Sequence, residues 1–503
     1  MSIALLQNMT EASSAMASSI SDRSNNLPTV GGKMPPFPKS SIDINLDNHF
    51  KAKIYTTSSP ITGNVTITTK RDVRFDAIQI LLMGHTKTRV DGISSPHEVT
   101  HTFLKMVMPV PESTYPVPRV LEIGTTYQVP FNFVIPTQLT INACNHPRLT
   151  DQLQDHHVLL PPTMGRWWRD DMSPEMARVE YVIKARVLRQ DDLGGRSVRV
   201  VEAVQPIYVL PASAEEPPLN VGEQDRLYDM CKTKSLRKNL LTSKLGSLKA
   251  EASQATAAVL RADGAQLVSQ PTALVNLNFQ PTAPDVLPPK ITAISGKVTA
   301  YTFYSSGTIE TFPNMGHWNQ EFASISKRGT YATSVSLPRI PVPEIRWTQH
   351  ISSTTRRDSG YGSDGNEPSD SATNAPRKSL SKHHRRRSQA SVTSTSPIYH
   401  TTSLQIPVNL PTDKKTFIPT FHSCIASRAY SLQLSLQVGV GSASTTLTVT
   451  VPMQVAIETD FSQQPQIELP SFEEAQADAH LEPRVLAIPA RAYRETSVLP
   501  GYA

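Results

Sequence analysis

The residues His97-Glu-Val-Thr-His101 have the spacing of a zinc hydrolase motif. On a helix, that spacing places two imidazoles on one face around the ion while the glutamate activates the metal-bound water. Ser95-Pro96 could open such a helix, but Val99-Thr-His-Thr-Phe103 is β-branched and aromatic, and Met108-Pro-Val-Pro111 stops the element soon afterwards. A strand would put His97 and His101 on one face but, at about 3.3 Å per residue, too far apart to share an ion easily. A zinc hydrolase using His97, Glu98 and His101 is therefore the remote alternative, and a solvated strand or loop edge is the expectation. Gly360-Tyr-Gly-Ser-Asp-Gly365 fits a phosphate-cradling glycine pattern, yet it lies in a polar, serine-rich run with no strand before it or helix after it. Cys144, Cys231 and Cys424 are odd in number and widely spaced, without the close pairing of a zinc or disulfide framework, which points to a reducing compartment. His146, His156 and His157 have no partners at ligand spacing, and Trp167-Trp168 between Arg166 and Arg169 suits a surface or packing patch better than a catalytic pocket. No catalytic residue, metal or cofactor is expected, and the chain is read as a non-enzyme.

Modification is the other chemistry on offer. From Gln349 to His400, polar and charged residues dominate and hydrophobic periodicity vanishes. Arg385-Arg-Arg-Ser388 and Arg377-Lys-Ser379 place hydroxyls just after basic clusters, the pattern that basophilic kinases read. Ser359, in Asp358-Ser-Gly-Tyr-Gly-Ser363, is a weaker candidate of phosphodegron type. Lys382-His-His-Arg-Arg-Arg387 also reads as a nuclear localisation signal or as a solvated charge run.

The elements that must position these groups are strands. The chain has 503 residues, enough for two domains with additional segments. Its 41 prolines punctuate strand-like stretches and favour an all-β protein over a helical bundle. Lys+Arg 49 against Asp+Glu 43 gives a net charge of +6, too small over this length to call for nucleic acid. Residues 1–40 read as a disordered leader without a secretory or mitochondrial signal, and no apolar run reaches the roughly 18 residues needed to span a bilayer. A first β-sandwich is expected over 41–213. Tyr127, Val129, Phe131, Phe133 and Ile135 alternate in it, as do Val179, Tyr181, Ile183, Ala185 and Val187. A basic connector follows over 214–269. Leu241, Leu245 and Leu248 have helical spacing there, so Cys231 to Lys249 reads as a short amphipathic helix touching anionic membrane or as a connector packing a few leucines. A second sandwich is expected over 270–460, interrupted by a disordered Ser/Arg-rich insertion at about 349–400, with a flexible tail over 461–503.

The landmarks Pro130-Phe-Asn-Phe-Val-Ile-Pro136, Leu160-Pro-Pro-Thr-Met-Gly165, Val179-Glu-Tyr-Val-Ile183 and Ile418-Pro-Thr-Phe-His-Ser-Cys-Ile-Ala-Ser-Arg-Ala-Tyr-Ser-Leu432 occur in the order seen in fungal arrestin-like proteins (α-arrestins). The resemblance spans roughly Ser41 to Glu458. It implies two tandem immunoglobulin-like arrestin β-sandwiches. It also implies a cytoplasmic trafficking adaptor that holds cytosolic regions of membrane transporters or receptors. Such an adaptor recruits a WW-domain HECT-type ubiquitin ligase and moves to the plasma membrane or endosomes, driving ubiquitination and endocytosis. WW domains read a proline-stiffened peptide with an aromatic side chain. No Pro-Pro-x-Tyr occurs, but Leu499-Pro500-Gly501-Tyr502 is an L-P-x-Y variant. The alternative is an arrestin-fold trafficking or signalling scaffold without ligase contact.

Overall fold

The computed structural model describes residues 41–91, 95–190, 197–213, 221–222, 225–238, 244–316, 318, 327–351, 398–440 and 443–458. Strict alternation shapes the first unit. In Thr126–Val134, Val129, Phe131 and Phe133 are buried and the residues between them are exposed. This strand pairs with Pro60–Thr68, which pairs in turn with Ser41–Leu46, giving a three-stranded antiparallel sheet. The second sheet runs Ile54–Tyr55, Ser197–Val209, Ala177–Gln190, Ala77–Val90, His97–Met108. Ala177–Gln190 buries every second residue from Ala177 to Val187, and these side chains join Val129, Phe131 and Phe133 in one core. The two strands that bracket the polar crossing from Ile135 to Met176 therefore lie in different sheets.

Two contacts fix the return of that crossing. The Tyr181 hydroxyl donates to the Pro161 carbonyl at 2.6 Å, anchoring the Leu160–Gly165 turn on the core. Gly165 takes the left-handed backbone conformation, with φ of 77°, and its N–H donates to Asp171 Oδ2 at 2.7 Å. Within the crossing lies one short helix, Asp151–His157, started by the Thr150 side chain accepting from the Leu153 N–H.

The second unit is also built from two sheets. One runs Cys231–Arg237, Lys244–Ala252, Thr272–Pro281, Ile398–Pro407, Thr348–Ile351. The other runs Arg328–Ser336, Lys290–Ser305, Ala426–Val440, Phe421–His422, with Ala443–Met453 also paired to Ala426–Val440. Leu432, Leu434, Leu436 and Val438 are buried, as the alternation predicts. Ala258–Leu260 and Val455–Ile457 form a separate parallel pair.

The 214–269 connector departs from expectation. Cys231–Arg237 and Lys244–Ala252 are antiparallel strands, so the short-helix reading is wrong and the second sandwich already includes residues from Cys231 onward. Gly246, Leu248, Ala250 and Ala252 are buried with period two, while Leu245 lies on the other face. Leu241 lies outside the described residues. The flanks of the 349–400 segment are strands as well, with Ile351 paired to Ile398. Residues 352–397, the 1–40 leader and the 461–503 tail lie outside the described residues.

A strand at 244–252 makes a prediction that a surface helix would not. Leu248→Ala should cost about 2–5 kcal/mol through cavity formation, whereas Lys249→Ala should stay within about 0.5 kcal/mol. Urea unfolding of both variants checks this, and two equally small effects would contradict the strand.

Candidate functional site

The polar crossing of the first sandwich meets the Phe417–Arg428 region of the second. Arg428, at the start of the strand Ala426–Val440, is fully buried. Its Nη1 donates to the Asp171 carbonyl at 3.0 Å and its Nη2 to Ser173 Oγ at 2.6 Å. Its Nε has no hydrogen-bond partner among the described residues. Nearby, Arg169 Nη1 donates to the Thr412 carbonyl at 2.6 Å, the Thr416 N–H donates to the Asp170 carbonyl at 3.0 Å, and Lys415 pairs with the Asp170 carboxylate. Burial alone would raise the Asp170 pKa, but the Lys415 hydrogen bond, the Met172 N–H and the neighbouring positive charges outweigh it and hold it below its ordinary value. Further along the seam, Thr88 Oγ1 donates to the Ser305 carbonyl at 2.7 Å, and the Ser213 N–H donates to the Ile457 carbonyl at 3.2 Å.

A second cluster lies at the same seam. Cys144 caps the short turn Ile141–Ala143, His146 follows in the loop, His157 ends the helix Asp151–His157, and Cys424 sits in the turn before Ala426–Val440. Their ligand atoms all lie within 4.8 Å of one another. Cys144 Sγ is 3.3 Å from His146 Nε2 and 3.4 Å from His157 Nδ1. Cys144, His157 and Cys424 are buried, and His146 is half-buried. Burial, with the neighbouring His146 and His156, pulls His157 down to about 4, and burial beside Cys144 pushes the Cys424 thiol up to about 12. Beyond the cluster, His422 is pulled down to about 3 by burial and by His156 and His157. These four donors could hold a metal. The lack of ligand partners expected for His146 and His157 is thus corrected: the crossing folds these two and Cys144 together, and Cys424 joins them from the second sandwich.

His97, Glu98 and His101 lie on the strand His97–Met108, with His97 and Glu98 exposed and His101 half-buried. The hydrolase reading fails because no helix brings the imidazoles together. Trp167 stacks on Tyr208 at 5.0 Å and packs against the core, while Trp168 is 48% exposed beside it, which makes a packing patch with one open ring. Leu499, Pro500, Gly501, Tyr502, Ser388, Ser379 and Ser359 lie outside the described residues.

Residues 341–457 match the family model described as the Bul1 C terminus (Bul1_C), a C-terminal domain of arrestin-related trafficking adaptors. This match agrees with the arrestin-like resemblance of the sequence. No curated protein matches it. The matched span runs through the second sandwich from the strand Thr348–Ile351 to Val455–Ile457, and so includes both Cys424 and Arg428. Among the described residues no helix is long and apolar enough to cross a membrane.

Two predictions test the polar seam. Ser173→Ala should cost about 1.5–3 kcal/mol, because it strips a buried guanidinium of a partner, and it should split urea unfolding into two transitions as the sandwiches uncouple. The Asp170 contribution should be complete above its unfolded pKa and lost as pH falls through the lower folded value, below about pH 4. Thermal scans of Asp170→Asn and the parent chain should therefore converge at acid pH and diverge near neutrality.

Proposed function

We propose that this arrestin-like chain is a trafficking adaptor. It binds cytosolic regions of plasma-membrane transporters or receptors and recruits a WW-domain HECT-type ubiquitin ligase, leading to ubiquitination and endocytosis. The observation that carries the reading is the match of residues 341–457 to a trafficking-adaptor domain, set within two docked β-sandwiches. Adaptor work needs rigid binding surfaces and a peptide that a ligase can reach, and it needs no catalytic group. Leu499-Pro500-Gly501-Tyr502 supplies such a peptide. Its proline limits the entropy lost on binding, and Tyr502 supplies the ring for the WW groove.

Regulation on this reading falls to a basophilic kinase acting at Ser388 and Ser379, with Ser359 a further acceptor. A phosphate at Ser388 adds about −1.5 to −2 charge to the run Lys382 to Arg387 and weakens its attraction for anionic membrane. The protein works in the cytoplasm and at the plasma membrane or endosomes. A scaffold without ligase contact is the second reading, favoured by the absence of Pro-Pro-x-Tyr from the sequence.

Pulldown of the full chain by isolated WW domains separates the two. Tyr502→Ala should weaken capture at least about tenfold, the loss expected for an anchoring aromatic. Capture indifferent to Tyr502 removes the tail from the mechanism, and no capture favours the scaffold.

A further inference from the structure

We propose that Cys144, His146, His157 and Cys424 form a structural zinc site that fastens the first sandwich to the second. Two thiolates and two imidazoles are a common donor set for closed, four-coordinate zinc, and soft sulfur ligands disfavour magnesium and calcium. With Zn–S near 2.3 Å and Zn–N near 2.0–2.1 Å, a tetrahedron has S···N edges of about 3.5 Å. The observed 3.3 and 3.4 Å separations already approach those edges. All four donor atoms fit inside a 4.8 Å spread, so closing around an ion needs only small side-chain shifts.

Ring orientation agrees with ligation. His146 Nδ1 lies 2.9 Å from the Pro147 carbonyl, which can only accept, so Nδ1 carries the proton. That leaves the Nε2 lone pair aimed at the cluster, with the carbonyl fixing the tautomer as it does for zinc-bound histidines. His157 faces the cluster with Nδ1, 3.4 Å from Cys144 Sγ, so Nδ1 is its ligand atom and Nε2 carries the ring proton. Charge also balances. On binding, both thiols release their protons to solvent, and two thiolates with Zn²⁺ give a neutral complex suited to a buried position. The half-buried His146 leaves an approach from solvent.

Four protein ligands leave no open coordination position, so the site is structural rather than catalytic. Its placement gives it a task. Three ligands belong to the crossing of the first sandwich and the fourth to the turn that launches Ala426–Val440, the strand carrying Arg428. Cys424 Sγ also lies 3.9 Å from the Ala143 carbonyl, and the Cys424 carbonyl accepts from the Ile309 N–H at 2.7 Å, which holds the turn in place. A zinc here would tie the relative orientation of the sandwiches to metal supply.

The full-length chain, purified without chelator or reductant, should contain close to one zinc per molecule by elemental mass spectrometry. After chelation, Co²⁺ alone should restore one equivalent with the intense visible absorption and thiolate charge-transfer bands of a tetrahedral two-thiolate site. Zn²⁺ should raise the unfolding temperature of the chelated protein by roughly 5 °C or more. Cys424→Ser and His146→Asn, checked for folding by circular dichroism, should each lose most of the bound metal. Absence of stoichiometric zinc or cobalt uptake by the folded parent chain would overturn the proposal. So would a Cys144–Cys424 disulfide in the intact mass, an octahedral cobalt spectrum, or folded variants that keep a full equivalent of metal.

Discussion

A guanidinium keeps its charge in a protein, so the fully buried Arg428 constrains everything around it. Removing such a group from water costs several kcal/mol unless hydrogen bonds replace the lost solvation. Those bonds come from Asp171 and Ser173, which belong to the other sandwich. The second sandwich therefore satisfies its own buried strand only when docked. Docking in turn requires the 169–173 loop to hold its shape, which it does through the Gly165 N–H on Asp171 and the Met172 N–H on Asp170. The Tyr181 hydroxyl bond to Pro161 ties that loop's approach to the core of the first sandwich. A continuous chain of contacts thus leads from an alternating strand to the seam.

Both sandwiches were legible in the sequence wherever large apolar residues alternate. Val129, Phe131 and Phe133 mark one sheet, Val179 to Val187 its partner, and Leu432 to Val438 the centre of the second unit. The strand Lys244–Ala252 was hidden because three of its four inward residues are Gly246, Ala250 and Ala252, which carry little hydrophobic signal. The more conspicuous leucines nearby happen to fall at helical spacing, although Leu245 and Leu248 occupy opposite faces of a strand.

The seam shows a different limit. Cys144 and His146 are adjacent enough to notice, but a Cys-x-His pair is common and suggests little alone. Cys424 becomes their neighbour only when two sandwiches dock, and no local pattern encodes that meeting. His97-Glu-Val-Thr-His101 is the converse case, a spacing that is meaningful on a helix and loses its meaning on a strand. Motif spacing carries chemistry only through the geometry of the element that bears it.

The pairing of Ile351 with Ile398 has a consequence for how such a chain can change over time. Everything between those two residues enters and leaves the sheet at neighbouring points of one antiparallel pair. The entropy of closing such a span grows with the logarithm of its length, so doubling it costs only about 0.6 kcal/mol. Serines, basic clusters and spacers can therefore be inserted, lost or reordered between Thr348–Ile351 and Ile398–Pro407 with little effect on the sandwich. Sequence between these two strands can change while the sandwich that holds its two ends stays the same.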